Sequence, residues 1–506
     1  MSKILRGGRL SSARKDVAEF TSSIKDDAKL KSAVVQINTA HVIMLTEQGI
    51  IKPSDGAKLL EALTTDLNVK LDASSEDVHM AVEEAVLEKT GPETGGNLHV
   101  AKSRNDQVAT AIRIALRQKL LTLMYSVTEL QEALAQTSEK HLETVILAYT
   151  HLQPAQPVTF AHYLLSRYDA LDRDLQRLKS AYARVNVCPM GAGALATTSF
   201  PINRKRVCEL LGFDGLLENS IDAVGSRDFV LETNAVLTLI AVALSQMAED
   251  LVVWSSPDFG VIELPDDFTS TSSIMPQKKN PEVPEVIRAR AGHVLGDFVA
   301  SAAAMKNMPS TYNLDFQEIT PKLWSALESV TNSVTILAQL IPNLKVVSDV
   351  SVKSSASFVA ATELANMLVR EYGVPFRSAH KIVGSLVKSL LAAKQTLADV
   401  TPRIVRKIAQ SSAGIELSVK AEDLISLSNP LKIVKSYKVI GGPAPSEVKR
   451  ALLARKKNLA VAKSALHKMK QRLKEAEANL LLTAEFISRG KTGADAKLKN
   501  RKLEVE

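Results

Sequence analysis

The feature that most constrains this fold is a long run between Asn97 and Gln153 that contains neither glycine nor proline. Within the run, apolar residues recur at steps of three and four, which places them on one face of a helix. They are Ile112, Leu116, Leu120, Leu123, Val127, Leu130 and Leu134. The run therefore predicts one very long amphipathic helix, closed by the two prolines of the segment Thr150 to Pro157.

Other segments repeat this pattern. Runs without glycine or proline cover Val158 to Cys188 and Ser226 to Ser256, and an apolar-periodic stretch follows Pro281. Strand-like alternation is scarce, so the pattern predicts an all-α protein with a central bundle of long helices. Their apolar stripes are wide enough for burial between subunits as well as within one, and we expect an oligomer.

Breaks in the helical pattern indicate the domain organisation. The turn-rich Gly91 to Gly96 precedes the long run, and the later helices are separated at Gly373 to Pro375, Pro402 and Gly441 to Pro443. From Ser446 to Leu482 a basic helix is predicted. We expect a small helical domain at 1–99, the long-helix bundle at 100–350, a small helical domain at 351–455, and a basic helical extension with a mobile tail at 456–506.

Composition limits the class of protein. The chain has 506 residues, of which 45% are hydrophobic and 23% charged, as in ordinary soluble globular proteins rather than disordered or fibrous ones. The net charge of +8 is small for this length. The basic C-terminal segment is compatible with contact to RNA, but a basic helix face is more usually exposed to solvent. We therefore expect no nucleic-acid partner.

Three features of the sequence indicate where the protein is located in the cell. Cys188 and Cys208 are too few for a disulfide framework, which fits a reducing cytoplasm. The N-terminus lacks the apolar core of a secretory signal. The most apolar stretch, Val236 to Leu244, is too short to span a bilayer and is followed by acidic residues. We expect a cytoplasmic protein that does not span a membrane.

The segment Thr269 to Glu285, TSTSSIMPQKKNPEVPE, is the most informative for chemistry. As an ordinary loop, it would serve to place Asn280 as the cap of a helix that begins at Pro281. As a functional loop, it offers a serine whose proton affinity is tuned by the nearby Lys278 and by backbone N–H groups. Such a set suits removal of a proton from a weakly acidic C–H group.

Two further segments carry candidate residues, each with a structural alternative. His151 would sit at a helix junction, where it transfers protons or simply packs or caps. Ser103, followed by Asp106, resembles a capping box, and the same helix N-terminus beside Arg104 and Asn105 is also suited to bind a carboxylate.

The glycine-containing segment Gly191 to Ala196 lacks the spacing of a phosphate loop, and close backbone approach is the better interpretation. The sequence contains no motif for a metal or a nucleotide, and we expect no cofactor.

These segments resemble the fumarase/aspartase superfamily. The loop has the spacing of its signature, Ser-Ser-x-Met-x-x-Lys-x-Asn-x-x-x-x-Glu, at Ser272, Ser273, Met275, Lys278, Asn280 and Glu285. Further motifs are similar to the argininosuccinate lyase family within it, over nearly the whole chain to about residue 455. They are SRNDQVAT, YTHLQPAQPVTFAHYL, GALATTSFPINR, NSIDAVGSRDF, GVPFRSAHKIVG and GGPAPSEV.

The resemblance implies an all-α, three-domain homotetramer with active sites where three subunits meet. It implies reversible β-elimination of argininosuccinate to arginine and fumarate without a cofactor. Ser272 would be the base, Lys278 would stabilise the carbanion's carboxylate, and His151, polarised by Glu285, would protonate the leaving nitrogen. The implied substrate-binding residues are Ser103, Arg104, Asn105, Thr150, Asn280, Tyr312, Gln317, Ser11 and His79.

The sequence departs from the family pattern at several positions. Thr271 replaces a glycine, Ala101-Lys102 replaces Gly-Arg, Leu314 replaces a lysine, and an expected aspartate falls ambiguously at Arg14 to Asp16. Two alternatives follow: a lyase for another succinyl amine, or a non-catalytic structural protein like the delta-crystallins. Retention of the four implied catalytic residues argues against a structural protein, which needs none of them.

Overall fold

The computed structural model describes residues 14–71, 76–347 and 358–491, and it is predominantly helical. The helices of the first half are α1 Lys15–Thr21, α2 Ile24–Asp27, α3 Lys31–Glu47, α4 Pro53–Thr64, α5 Val78–Thr90, α6 Pro92–Gly95, α7 Arg104–Lys140, α8 Phe160–Val185, α9 Arg204–Leu210 and α10 Ser220–Gly225. Those of the second half are α11 Asp228–Ser255, α12 Glu282–Met305, α13 Phe316–Leu340, α14 Ala361–Tyr372, α15 Phe376–Ala392, α16 Pro402–Ala413, α17 Ala421–Ser426, α18 Pro430–Ser436 and α19 Pro445–Ser488.

Long helices form the centre of the molecule. Helix α7 packs on α8 and α13, and α11 packs on α8, α12 and α13. The predicted apolar face of α7 is buried, with Leu116, Leu120 and Leu134 wholly inaccessible to solvent. The all-α class and the central long-helix bundle are therefore confirmed.

Short strands accompany the helices. Within the described ranges they form four two-stranded pairs, and the longest pair is antiparallel. The strands are β1 Val145–Thr150, β2 Gln153–Thr159, β3 Val187–Cys188, β4 Gly215–Leu216, β5 Ile262–Glu263, β6 Ser270–Thr271, β7 Lys279–Asn280 and β8 Lys345–Val346. The pairs are β1 with β2, β3 with β4, β5 with β8, and β6 with β7.

The prediction of one helix up to the prolines was wrong at its C-terminal end. Helix α7 ends at Lys140, and the chain then enters the β1–β2 hairpin. The prolines of β2 hold that segment extended, so it offers a strand with which β1 can pair. Val145 and Leu147 of β1 are buried against Val359 and Val434. This cluster stabilises the strand in place of more helix.

The C-terminal region has shorter helices, as predicted. Helices α14, α15 and α16 enclose a hydrophobic cluster of their own, separate from the main core. Helix α19 crosses the predicted boundary at residue 455 without a break and packs along α3, α4 and α7. Its apolar residues Val448, Leu452, Leu459 and Leu466 are buried. The basic helix is thus confirmed, and one of its faces belongs to the main core.

Helix α11 is long and apolar enough, by length and composition, to cross a membrane. The full helix extends well beyond the short apolar stretch singled out in the sequence. In this fold α11 is the central helix, with three long helices packed on it. Core helices of globular proteins share such a composition, so it is weak grounds for a membrane span.

Candidate active site

The start of helix α7 is fixed by a complete capping box. The Ser103 hydroxyl accepts a hydrogen bond from the backbone N–H of Asn105 at 3.3 Å, and Asp106 Oδ1 accepts one from the N–H of Ser103 at 3.0 Å. The structural alternative for Ser103 and Asp106 is therefore confirmed. The side chains of Arg104 and Asn105 take no part in the capping box and make contacts of their own.

The second carboxylate oxygen of Asp106 organises the glycine segment. It accepts hydrogen bonds from the backbone N–H groups of Gly191 at 3.1 Å and Gly193 at 2.8 Å. Gly193 has φ +64°, and a Cβ atom there would lie 2.6 Å from the carbonyl oxygen of Thr197. Close backbone approach, as the sequence indicated, is the reason for this glycine. Asn105 completes the junction by donating from Nδ2 to the carbonyl oxygen of Ala194 at 3.1 Å.

Arg104 lies between Asp77, which caps helix α5, and Glu83 within that helix. Its Nη1 donates to Asp77 Oδ1 at 2.5 Å, and its Nη2 lies 3.8 Å from Glu83 Oε2. Asp77 also caps α5 by accepting the N–H of Met80 at 2.7 Å. One carboxylate thus fixes both the helix start and the guanidinium. These pairs hold Arg104 in one orientation at the end of α7.

His79 lies next to this group and is buried. Among the described residues, neither of its ring nitrogens has a hydrogen-bond partner. Burial, together with the positive charges of Arg104 and Lys102, holds the pKa of His79 well below its ordinary value. The imidazole is therefore neutral at physiological pH, with one nitrogen able to donate and one able to accept.

Tyr312 and Gln317 join the same group. Burial and the nearby carboxylates of Asp77 and Asp27 raise the pKa of Tyr312, and the side chain of Gln317 lies close enough to its hydroxyl to oppose that rise. The Tyr312 ring packs edge-on against Phe316, with 5.7 Å between centroids. Residues distant in sequence thus lie near one another around Asp77 and Arg104.

Ser272 lies on a small hairpin formed by β6 and β7. Strand residues Ser270 and Thr271 pair with Asn280 and Lys279, so residues 272–278 form the projecting loop. The Ser272 hydroxyl oxygen accepts hydrogen bonds from the N–H groups of Ile274 at 3.3 Å and Met275 at 3.1 Å. Two backbone dipoles therefore point at the oxygen, which stabilises negative charge on it.

The two adjacent lysines of the loop differ in their contacts. Lys279 pairs with Asp266 at 2.6 Å and with Glu263 at 3.6 Å. Lys278 is exposed, and no ion pair to it occurs within the described residues. Lys279 therefore anchors the hairpin base, whereas the side chain of Lys278 is exposed to solvent.

The ordinary-loop interpretation of Asn280 was wrong. Asn280 lies in β7 and donates from Nδ2 to the Ser270 hydroxyl at 3.3 Å, and α12 begins at Glu282 after Pro281. Hairpin pairing keeps Asn280 in the strand, so its side chain does not cap the helix. It instead stabilises the hairpin that carries Ser272.

Thr150 and His151 lie at the tip of the β1–β2 hairpin, not at a helix junction. His151 and Leu152 both have φ +56°, the left-handed conformation of a two-residue type I′ turn. His151 and Thr150 are exposed, and so is Glu285 on α12. No hydrogen bond joins His151 to Glu285 within the described part of a single chain.

The candidate residues thus form three groups in one chain. The first surrounds Arg104, the second is the Ser272 hairpin with Glu285, and the third is the tip with His151. Across the described residues, no hydrogen bond or ion pair joins one group to another. Ser11 lies outside the described residues.

Asp77 and Arg227 were not singled out from sequence. Asp77 holds Arg104, and the wholly buried Arg227 stacks on Phe316 at 4.4 Å and lies close enough to Tyr312 for their charges to interact. The sequence did contain a signal for Asp77, because an aspartate directly before an apolar-rich helical segment is a common N-cap. Arg227 lies within a motif, but only the fold places it beside Tyr312.

The chain is similar in sequence and in fold to known lyases. A family profile described as "Lyase" matches residues 9–296, and one described as "Argininosuccinate lyase C-terminal" matches residues 358–434. Among solved structures, EDDS lyase in complex with formate is 30% identical, with a TM-score of 0.84 over 95% of this chain and 97% of that one. A class II fumarase from Schistosoma mansoni, 17% identical, shares the fold with a TM-score of 0.69 over 84% of this chain and 96% of that one. The fold and the loop therefore define a lyase of the fumarase/aspartase superfamily.

Relatives of higher sequence identity show which family of this superfamily the chain belongs to. An argininosuccinate lyase of Methanocaldococcus jannaschii is 44% identical over 89% of this chain and 93% of its own length. One of Methanosarcina barkeri is 43% identical over 96% of this chain and 99% of its own length. The chain belongs to the argininosuccinate lyase family. Because the second match covers nearly the whole chain, the C-terminal extension is largely shared with that relative.

Proposed function

We propose that this chain is a carbon–nitrogen lyase that reversibly cleaves argininosuccinate to arginine and fumarate, as one step of arginine biosynthesis. The observation that carries the proposal is the hairpin, which presents the Ser272 oxygen to two backbone N–H groups beside an exposed Lys278. This set, in a member of the argininosuccinate lyase family, suits removal of a proton next to a carboxylate.

Ser272 is the proposed base. The N–H groups of Ile274 and Met275 stabilise its alkoxide form, which takes the proton from the succinyl Cβ. The electron pair of that C–H bond moves into the adjacent carboxylate, which then carries two negative charges. Lys278 and amides of the loop stabilise this intermediate, at the step where electrostatic preorganisation contributes most.

Cleavage of the C–N bond follows. The electron pair returns to form the carbon–carbon double bond of fumarate, and the C–N pair leaves with the guanidino nitrogen. His151, polarised by Glu285, supplies the proton that this nitrogen needs. Its exposed position on a hairpin tip allows it to reach a substrate held by another subunit.

Substrate binding is assigned to the group around Arg104 and to polar residues of the two hairpins. A fixed guanidinium beside a helix N-terminus suits a substrate carboxylate. Neutral hydrogen-bonding groups such as His79 and Tyr312 suit the remaining polar atoms. The proposed set is Ser103, Arg104, Asn105, Thr150, Asn280, Tyr312, Gln317, Ser11 and His79.

A homotetramer with shared active sites would unite the three groups. Apolar side chains about half exposed on the outer faces of α11 and α12 support such an assembly: Leu239, Val242, Val286, Leu295 and Val299. The buried free cysteines Cys188 and Cys208 fit a cytoplasmic enzyme.

Mixing two inactive variants tests the shared site. If Ser272 and His151 come from different subunits, unfolding and refolding Ser272→Ala together with His151→Ala restores about a quarter of the sites. Variants refolded separately are the control. Recovery of no activity in the mixture would place both residues on one subunit.

The similarity to EDDS lyase supports one alternative, in which the chain cleaves a succinylated amine other than argininosuccinate. A substrate panel decides between the two. Fumarate release, followed by its ultraviolet absorbance, is expected to be fastest from argininosuccinate among succinylated amines. Faster release from another amine would move the assignment to that substrate, and no release from any would favour the structural scaffold.

A further inference from the structure

A cavity of about 220 Å³ lies between helices α7 and α19, and α3 and α9 contribute to its rim. This volume is several times the ~30 Å³ that a water molecule occupies in the liquid. Leu121 of α7 and Leu473 and Leu480 of α19 form an apolar wall. The cavity therefore has room for a small organic molecule with an apolar part.

Positive charge predominates around the cavity. Lys470 and Lys474 line it one helical turn apart, so both ammonium groups extend from the same face of α19. The Lys470 Nζ lies 5.3 Å from the centroid of the Tyr125 ring on α7. The acidic Glu477 accepts a hydrogen bond from Gln36 Nε2 at 3.3 Å. On this helix face, the single carboxylate of Glu477 is therefore outnumbered by the ammonium groups of Lys470 and Lys474.

Arg117 adds a third cation at the floor. It is 4% exposed, and among the described residues its guanidinium donates only to uncharged oxygens. They are those of the Asn186 amide and the Leu211 and Gly212 carbonyls, at 3.0, 2.6 and 3.2 Å. Its Nε has no hydrogen-bond partner in the part of the chain that the structure describes. The nearest carboxylate that interacts with it is that of Asp214, which is hydrogen-bonded to Asn186 at 2.8 Å and paired with Arg472 at 2.5 Å. Arg117 therefore has no direct carboxylate partner in the described part of the chain, and its buried charge still favours an anion in the cavity.

We propose that this cavity binds a small organic carboxylate with an apolar chain. The carboxylate would meet Lys470 and Lys474, with Arg117 supplying further positive potential, and the chain would lie against Leu121, Leu473 and Leu480. None of the residues proposed to bind argininosuccinate lines this cavity. The site is separate from the proposed active site and does not depend on the proposed activity.

Calorimetric titration of the full-length protein with hexanoate tests the proposal. We expect saturable binding, with acetate weaker by at least about tenfold because it lacks four methylenes. Hexylamine has a similar chain and the opposite charge, and we expect it not to bind. Saturating fumarate should leave hexanoate binding unchanged, because fumarate belongs to the other site.

Charge reversal locates the site. Lys470→Glu should weaken hexanoate binding by at least about fivefold. Lys468→Glu is the matched control, because Lys468 is exposed on the same helix and outside the cavity. Equal losses in both variants, no saturable binding to the parent, or displacement by fumarate would each overturn the proposal. Unchanged fumarate release by Lys470→Glu would show that the variant remains folded.

Discussion

The carboxylate of Asp106 and the backbone N–H of Gly193 are joined by a 2.8 Å hydrogen bond that connects the start of helix α7 to the glycine segment. The same carboxylate accepts the N–H groups of Ser103 and Gly191. Burial raises its pKa to about 6 even though these three bonds favour the charged form. Asp106 therefore joins the start of helix α7 to the glycine segment, and it holds the backbone next to Arg104 and Asn105 in place.

Asp106→Asn should destabilise the fold by about 2–3 kcal/mol, because an amide cannot accept all of these N–H groups and places a donor against one of them. Denaturant unfolding measures the change. Asp258→Asn, at an exposed position, is the control and should change stability by less than about 0.5 kcal/mol. A loss in Asp106→Asn no larger than in this control would contradict the assigned role.

Ala101 has φ +61°, a left-handed conformation in which a Cβ atom is strained. Ala101→Gly should therefore stabilise the protein by about 1 kcal/mol, despite the greater backbone freedom of glycine in the unfolded chain. Ala133→Gly, inside helix α7, is the matched substitution and should destabilise by a similar amount or more. Thermal unfolding of both variants tests whether their effects have opposite signs.

The ionisation of Asp27 is predicted to make the stability of the folded state depend on pH. Burial raises its pKa from 3.8 to about 6, so the folded state retains a proton that the unfolded state has already released. The stability due to this group is present below about pH 4 and is lost as the pH rises through about 6.

Asp27→Asn removes this ionisation. We expect the variant to lose less stability than the parent between about pH 4 and pH 7, by up to about 3 kcal/mol. Denaturant unfolding across this range is the measurement, with the exposed neighbour Asp26→Asn as the control. Parallel curves for the parent and Asp27→Asn would contradict the prediction.

The long helices could be predicted because each is a local property of sequence. Apolar spacing located α7, α8, α11, α12 and α19, and the Ser103–Asp106 capping box gave the residue at which α7 begins. The β1–β2 hairpin could not be predicted in this way. Its turn residues, His151 and Leu152, are not the asparagine and glycine that mark type I′ turns, and its buried face depends on distant Val359 and Val434.

The candidate site was predictable by residue type and motif, but not by its supporting contacts. Asp77 holds Arg104 from the cap of a separate helix, and Arg227 lies close enough to Tyr312 for their charges to interact only in the folded chain. Periodicity carries no information about such pairs, because each depends on how the helices are packed. The three groups of site residues lie apart within the described part of one chain, and only the proposed tetramer would bring them together.

The adjacent lysines of the hairpin allow a matched test of the proposed intermediate. Lys278→Ala should lower kcat by about 10²–10³-fold, because it removes the cation proposed to stabilise the doubly charged carboxylate. Lys279→Ala removes the same charge from a residue paired with Asp266 and Glu263, and should lower kcat by less than about tenfold. If Lys279→Ala lost more activity than Lys278→Ala, the assignment would be reversed.

Ser272 is the residue that we propose removes the proton from argininosuccinate. The most direct measurement is the ultraviolet absorbance of fumarate released from argininosuccinate by the purified parent, Ser272→Ala and Ser273→Ala. We predict activity in the parent, a loss of about 10²–10⁴-fold in Ser272→Ala, and a much smaller change in the exposed neighbour Ser273→Ala. An inactive parent, or equal losses in the two variants, would contradict the claim.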